Sequence, residues 1–200
     1  MRICFTLDDV IRSKTKQVGK MVAKSRGQKE EEIFADLEIT TNDLGEVYGF
    51  KDRREYNKFL YDDYPFEVFG EAPPMERMLD KRFNLWLLAL SNEEGWEDTE
   101  FIFANPFEFN TSIGCTCFFL AQIATRVREF YFPKDSSKIW ERCDVLVTAD
   151  PKLLEEKPEG KIAIKIDAPY NTESPCDYSY DSLSNLIEDD EIKEKFCGNA

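Results

Sequence analysis

Five short apolar segments recur along the chain, each followed by a segment in which apolar residues have helical spacing. They are RICFT at 2–6, EFIFA at 100–104, REFYF at 128–132, DVLVT at 144–148 and IAIKI at 162–166. Alternation of strand-like and helical segments is typical of a parallel sheet whose strands are joined by crossover helices. The pattern predicts an α/β sandwich with a five-stranded, mostly parallel sheet flanked by helices.

The chain between the first two apolar segments is much longer than a crossover helix requires. Helical patterns occupy 29–38 and 53–63, and Pro73 and Pro74 precede a long helix with a broad apolar face. We therefore predict a mostly helical insertion at 12–95, with the α/β core formed by residues 1–11 and 96–200.

Composition excludes several kinds of chemistry and partner. The net charge of −14 would repel the phosphate backbone of nucleic acid. Histidine is absent, which removes every histidine-based nucleophile system and metal site, and the six scattered cysteines are expected to be reduced thiols packed as small apolar residues. No apolar run is long enough for a membrane span and no leader pattern precedes the first segment. We expect a cytoplasmic protein with no nucleic-acid or membrane partner.

The stretch FTLDDVI, residues 5–11, ends the first apolar segment. It resembles the first motif of the haloacid dehalogenase-like hydrolases, F-D-x-D-[DG]-[TV]-[IL], which carries a nucleophilic Asp and a second Asp that acts as general acid and base. Thr6 stands at the nucleophile position and Asp8 at the position of the second Asp. A register with Asp8 as the nucleophile is disfavoured, because it leaves no general acid and ends the strand two residues late.

Two later stretches resemble the 5'(3')-deoxyribonucleotidase branch of the same family. CDVLVTADP at 143–151 is similar to a strand ending in D-V-L-I-D-D-x-P, and GKIAIKIDAPYN at 160–171 to a strand ending in F-D-x-P-Y-N. The resemblance implies a Rossmann-like core, with a C1-type helical cap where the insertion at 12–95 lies.

The chain departs from the family pattern at its metal site. In the family, paired acids of the fourth motif hold Mg²⁺, and the resemblance matches them with Thr148 and Ala149, leaving Asp150 one place late. Mg²⁺ requires several oxygen ligands in near-octahedral geometry, and only Asp8 and Asp150 are candidates here. A magnesium cofactor is thus weakly supported by these residues.

The phosphate-binding motifs also depart from the pattern. The second motif normally ends in a Ser or Thr that binds phosphate, and this chain has Ala104 at that position with Asn105 beside it. The third motif supplies a Lys that balances the phosphate charge, and Lys134 or Lys138 lies in the expected interval. These four residues are the predicted ligand-binding positions.

Two functional hypotheses remain open. A threonine hydroxyl without an adjacent base is a poor nucleophile, so the first is a pseudoenzyme of nucleotidase or phosphatase ancestry. It would bind a small phosphorylated ligand or a protein partner in the former active-site cleft. The alternative is an atypical metal-dependent phosphohydrolase that acts on nucleotides or other phosphomonoesters through Asp8, with Asp150 in a rearranged metal site.

Overall fold

The fold is described from a computed structural model of the chain. The described residues are 1–35, 37–76, 79–106, 108, 111–123 and 125–197. The helical patterns expected at 29–38 and after Pro74 lie partly outside these ranges.

Six strands form one sheet in the described part of the chain. They are β1 (Arg2–Thr6), β2 (Glu100–Ala104), β3 (Glu129–Tyr131), β4 (Val145–Thr148), β5 (Ile162–Ile166) and β6 (Tyr178–Tyr180). The strand order is β3-β2-β1-β4-β5-β6, and all neighbours are parallel. The predicted α/β sandwich is confirmed, with one correction: β6 is a sixth strand, and its sequence, YSY, is not an apolar run.

Helices connect the strands and fill the segment between β1 and β2. That segment contains α1 (Lys14–Arg26), α2 (Glu30–Phe34), α3 (Leu44–Val47), α4 (Arg53–Lys58), two π-helical turns (Phe59–Asp63 and Phe66–Gly70) and α5 (Leu79–Ser91). Later helices are α6 (Thr111–Gln122), a 3₁₀ turn (Ser136–Ile139), α7 (Pro151–Glu155), α8 (Leu183–Glu188) and α9 (Ile192–Cys197).

The central strands are buried on both faces. Alternate residues of a strand point to opposite sides of the sheet. Phe5 and Val147 accordingly lie in one apolar cluster, and Cys4 and Leu146 lie in a second. Burial of both faces is what a parallel sheet covered by helices requires. The ends of β1 and β4 are therefore held rigidly next to each other.

Packing divides the helices of the long segment into two groups. Helix α5 packs on the sheet, where the ring of Phe83 lies 5.1 Å from that of Phe5 and 6.0 Å from that of Phe103. Helices α1, α3 and α4 and the π-helical turns share a different apolar cluster, which includes Val18 and Phe59. A domain boundary near residue 95 remains a prediction, and this packing associates α5 with the core.

The cysteines follow the sequence expectation only in part. Cys4 and Cys143 are free thiols buried in the second cluster, as expected for small apolar residues. Cys117 and Cys197 are exposed, so those two thiols are not packing residues.

None of the helices in the described ranges has the length and apolar character needed to cross a membrane.

The packing of α5 predicts a large difference between two neighbouring positions. Phe83 is 2% exposed and Leu85 is 64% exposed. Phe83→Ala should lower the free energy of unfolding by about 3–5 kcal/mol, because it leaves a cavity beneath the helix. The matched control Leu85→Ala should change it by no more than about 0.5 kcal/mol. Urea denaturation measures both, and equal effects would contradict the packing of α5 on the sheet.

Candidate active site

The first strand ends at Thr6, the residue that the motif resemblance matches with the nucleophile. Thr6 is the last residue of β1 and is buried, whereas Asp8 lies in the loop that follows. This agrees with the register in which Thr6, rather than Asp8, ends the strand. Thr6 pairs in register with Ala104 of β2, so the second motif also ends at this edge of the sheet.

Two threonine hydroxyls bond to each other across the ends of β1 and β4. The Thr6 hydroxyl donates to Thr148 Oγ1 at 3.1 Å, and the backbone N–H of Asp150 donates to the same oxygen at 3.0 Å. Thr148 is fully buried. The motif resemblance matches Thr6 with the nucleophilic carboxylate and Thr148 with a metal-binding carboxylate. Here the two neutral hydroxyls bond to each other.

Asp8 is surrounded by donors. Its Oδ1 accepts hydrogen bonds from Arg12 Nε at 3.0 Å and from Arg12 Nη2. Its Oδ2 accepts from Lys14 Nζ at 2.6 Å and from Asn105 Nδ2 at 3.0 Å. The carboxylate is thus shared between two cations and an amide, which leaves little capacity for another ligand.

Arg12 is completely buried and uses every donor of its guanidinium. Besides its bonds to Asp8, Nη1 donates to the carbonyl oxygen of Phe69 at 3.0 Å and to Thr116 Oγ1 at 2.7 Å. Nη2 also donates to Glu108 Oε1 at 2.7 Å. A guanidinium has five N–H groups, and all of them have partners here. Arg12 therefore joins the loop after β1 to a π-helical turn and to α6.

Charge pairing sets the protonation of this cluster. Burial alone would raise the pKa of Asp8, but the charges of Arg12 and Lys14 outweigh it and hold that pKa well below its ordinary value. Burial would lower the pKa of Arg12 and Lys14, yet the charge of Asp8 raises both. At neutral pH Asp8 is ionised and carries no proton to donate to a leaving group.

Asp9 differs from Asp8, because its carboxylate binds the first turn of helix α1. Its φ of 57° lies in the left-handed region, which Asp tolerates better than most residues. Its carboxylate accepts from the Thr15 backbone N–H at 3.0 Å, from the Thr15 hydroxyl and from the Tyr170 hydroxyl at 2.7 Å. Burial raises the pKa of Asp9, and these hydrogen bonds oppose that rise.

A cavity of about 200 Å³ opens at this edge of the sheet. Its wall combines residues that follow the core strands with residues of α1, α3, α4 and the first π-helical turn. The core contributes Thr6, Asp8, Asp9, Asn105, Pro106, Asp150 and Tyr170, and the helices with their adjoining loops contribute Lys14, Thr15, Asn42, Asp43, Leu44, Arg53, Tyr56, Asn57, Leu60 and Tyr61.

The predicted residues divide between the cavity wall and other places. Thr6, Asp8, Asn105 and Asp150 line the cavity, whereas the fully buried Ala104 lies outside the wall. The two predicted lysines do not line it.

Lys134 is exposed beyond β3, and Lys138 pairs with Glu141 on the surface. Both lie away from the cavity, which Lys14 lines instead. Position along the sequence does not determine which lysine lies at the sheet edge, because side-chain reach depends on the folded path of the chain. The basic stretch directly after FTLDDVI was the available signal for Arg12 and Lys14.

The donor set does not fit a magnesium ion. The described residues contain no group of three or more His, Cys, Asp or Glu side chains that could hold a metal. Asp8 is engaged by Arg12 and Lys14, and Asp150 Oδ1 accepts the Lys152 N–H at 2.9 Å as the cap of α7. Mg²⁺ binding would require these existing partners to be displaced.

Comparison with known proteins gives a structural match. No protein-family model matches the sequence, and no curated protein matches it. The structure resembles the crystal structure of a protein from Burkholderia xenovorans LB400 assigned as a haloacid dehalogenase-like hydrolase, with a TM-score of 0.58. The chain shares the Rossmann-like α/β fold of that protein. The match covers 97% of each chain at 12% sequence identity, so the likeness concerns the fold and not the activity.

The buried cluster predicts that Arg12 is a major determinant of stability. Arg12→Met should lower the free energy of unfolding by about 3–5 kcal/mol, because it removes the cation that pairs with Asp8 and Glu108. The control Arg53→Met removes a surface pair with Asp43 and should change it by at most about 1 kcal/mol. Chemical denaturation measures both values.

A second substitution tests the cause. Adding Glu108→Gln to Arg12→Met should recover part of the lost stability, because the variant no longer buries that unpaired charge. No recovery would mean that the unpaired Glu108 charge is not the cause of the lost stability.

Proposed function

We propose that the chain is a non-hydrolysing protein of haloacid dehalogenase-like fold that binds a small phosphorylated ligand in the cavity at the sheet edge. The hydrogen bond between Thr6 and Thr148 carries this proposal. The bond joins the ends of β1 and β4, where the family has its nucleophile and a metal ligand.

The geometry around Thr6 provides no route to a nucleophile. A hydroxyl attacks phosphorus only when a base removes its proton. The Thr6 hydroxyl donates to another hydroxyl, that of Thr148, whose oxygen also accepts the Asp150 N–H. Neither partner is a base, so the Thr6 proton stays in place.

Asp8 stands at the general-acid position but carries no proton to donate. A general acid must be protonated at the working pH. The neighbouring charges of Arg12 and Lys14 keep Asp8 ionised, despite the opposing effect of burial. Their ion pairs with Asp8 also hold its carboxylate within the cluster. These contacts favour the impaired protein over the atypical hydrolase.

The cavity wall supports ligand binding. Lys14 and Arg53 supply positive charge, Asn42, Asn57 and Asn105 supply amides, and Tyr56 and Tyr61 supply aromatic surface. A mixed wall with a few polar groups is typical of small-molecule sites. We propose that helices α1, α3 and α4 act as a cap over the sheet edge, since they form one side of this cavity.

Contacts among three motif segments support a nucleotidase-like ancestry. Asn171, in the DAPYN sequence, donates from Nδ2 to the carbonyl oxygens of Ala149 and Ile166, each at 2.9 Å. The neighbouring Tyr170 donates to Asp9 at 2.7 Å. The three stretches that resemble family motifs therefore meet at one place. We propose the deoxyribonucleotidase-like branch on these contacts and the order of the motifs.

The proposal predicts binding without turnover. Wild-type protein should release phosphate from p-nitrophenyl phosphate no faster than buffer, with or without Mg²⁺. An excess of a nucleoside monophosphate should raise its melting temperature, because a ligand of the native state stabilises it by mass action.

Asp8→Asn distinguishes the two hypotheses. Its phosphate release should equal that of the wild type, since neither protein turns over substrate. Robust wild-type release that disappears in Asp8→Asn would contradict the proposal and establish the atypical hydrolase. No thermal shift with any phosphate compound would favour a protein partner in the cleft.

A further inference from the structure

Lys14 lies where the loop after β1 enters the helical segment. It is the first residue of α1 and follows Asp8 by six positions. Its ammonium is 2.6 Å from Asp8 Oδ2, and its side chain is only 17% exposed. It lines the cavity together with Thr6 and Asn105. The sheet edge thus holds a permanent, largely buried cation.

The ammonium of Lys14 has donors to spare. A lysine ammonium carries three N–H groups. Within the described ranges, Lys14 makes one hydrogen bond, to Asp8 Oδ2. The ring of Phe69 lies 5.5 Å from Nζ and favours a cation, but it offers no strong acceptor. A largely buried ammonium with two free donors on a cavity wall is suited to an acceptor from a ligand.

The charges next to Lys14 balance without any added ion. Arg12 and Lys14 contribute two positive charges, and Asp8 and Glu108 contribute two negative charges. The cluster is neutral, so Asp8 does not repel an incoming anion as an unpaired carboxylate would. A divalent cation at Asp8 would instead be repelled by Arg12 and Lys14, which both contact the same carboxylate.

Two other carboxylates on the wall are already engaged. Asp9 accepts hydrogen bonds from Thr15 and Tyr170, and Asp150 accepts hydrogen bonds from the Lys152 backbone N–H and from Asn42 Nδ2. The remaining wall acid, Asp43, is paired with Arg53 at 3.1 Å.

We infer that the Lys14 ammonium, positioned by Asp8, is the anion-binding group of the cavity and takes the place of a metal ion, so that a phosphate group binds without a divalent cation. The inference rests on the proposed function, because it concerns the same cavity. It specifies which side chain contacts the phosphate and excludes a magnesium requirement for binding.

Isothermal titration calorimetry with inorganic phosphate tests the inference on the wild-type protein. Phosphate should bind in EDTA, and excess Mg²⁺ should change the Kd by less than about twofold. Binding that requires Mg²⁺ would overturn the inference and leave the proposed ligand class standing. No phosphate binding under either condition would overturn both the inference and the phosphorylated-ligand proposal.

Variants of α1 test the role of Lys14 itself. Lys14→Gln should weaken phosphate binding by at least about tenfold, because a charge-assisted hydrogen bond is lost. Lys14→Arg should retain most of the affinity, since it keeps the charge. The control Lys24→Gln lies on the same helix with a 61% exposed side chain and should bind like the wild type.

Thermal melts show whether each variant is folded. Unchanged affinity in folded Lys14→Gln would overturn the inference. Should that variant unfold, folded Lys14→Arg decides the matter: retained affinity supports the inference, and lost affinity overturns it.

Discussion

The buried guanidinium of Arg12 is the interaction on which the site depends. Its five N–H groups bind Asp8, Glu108, Thr116 and the carbonyl of Phe69, which lie in four separate parts of the chain. An ion in the interior is stable only when its charge and hydrogen bonds are satisfied, and here both conditions are met. Arg12 therefore fixes the loop after β1 against α6 and the helical segment at once.

This cluster explains how a sheet edge with several carboxylates can keep a defined cleft. Adjacent carboxylates at a sheet edge repel each other unless a cation lies between them. In this chain, threonines replace two of the expected acids, and Arg12 and Lys14 neutralise Asp8 from within the protein. The cleft retains its shape because protein side chains supply the cations. We propose that this geometry suits ligand binding rather than phosphoryl transfer.

The sequence predicted the parts of this structure that depend on local patterns. Apolar segments identified β1 to β5, and the motif at FTLDDVI placed Thr6 at the end of β1 and Asp8 just beyond it. Strand β6 was missed because its sequence, YSY, is not an apolar run. Lys134 and Lys138 lie outside the cavity wall, and Arg12 and Lys14 were missed. The contacts of Arg12 with Glu108 and Thr116 span 96 and 104 positions, and no local pattern encodes such separations.

The central claim is that protein cations, and not a metal ion, hold the Asp8 carboxylate. Carboxyl carbon NMR of Asp8, assigned by loss of its signal in Asp8→Asn, tests this most directly. The account predicts that the carboxylate stays ionised at about pH 4, where an ordinary Asp is half protonated, and that its chemical shift does not respond to Mg²⁺. A titration midpoint near the ordinary value together with a saturable shift on adding Mg²⁺ would contradict the account.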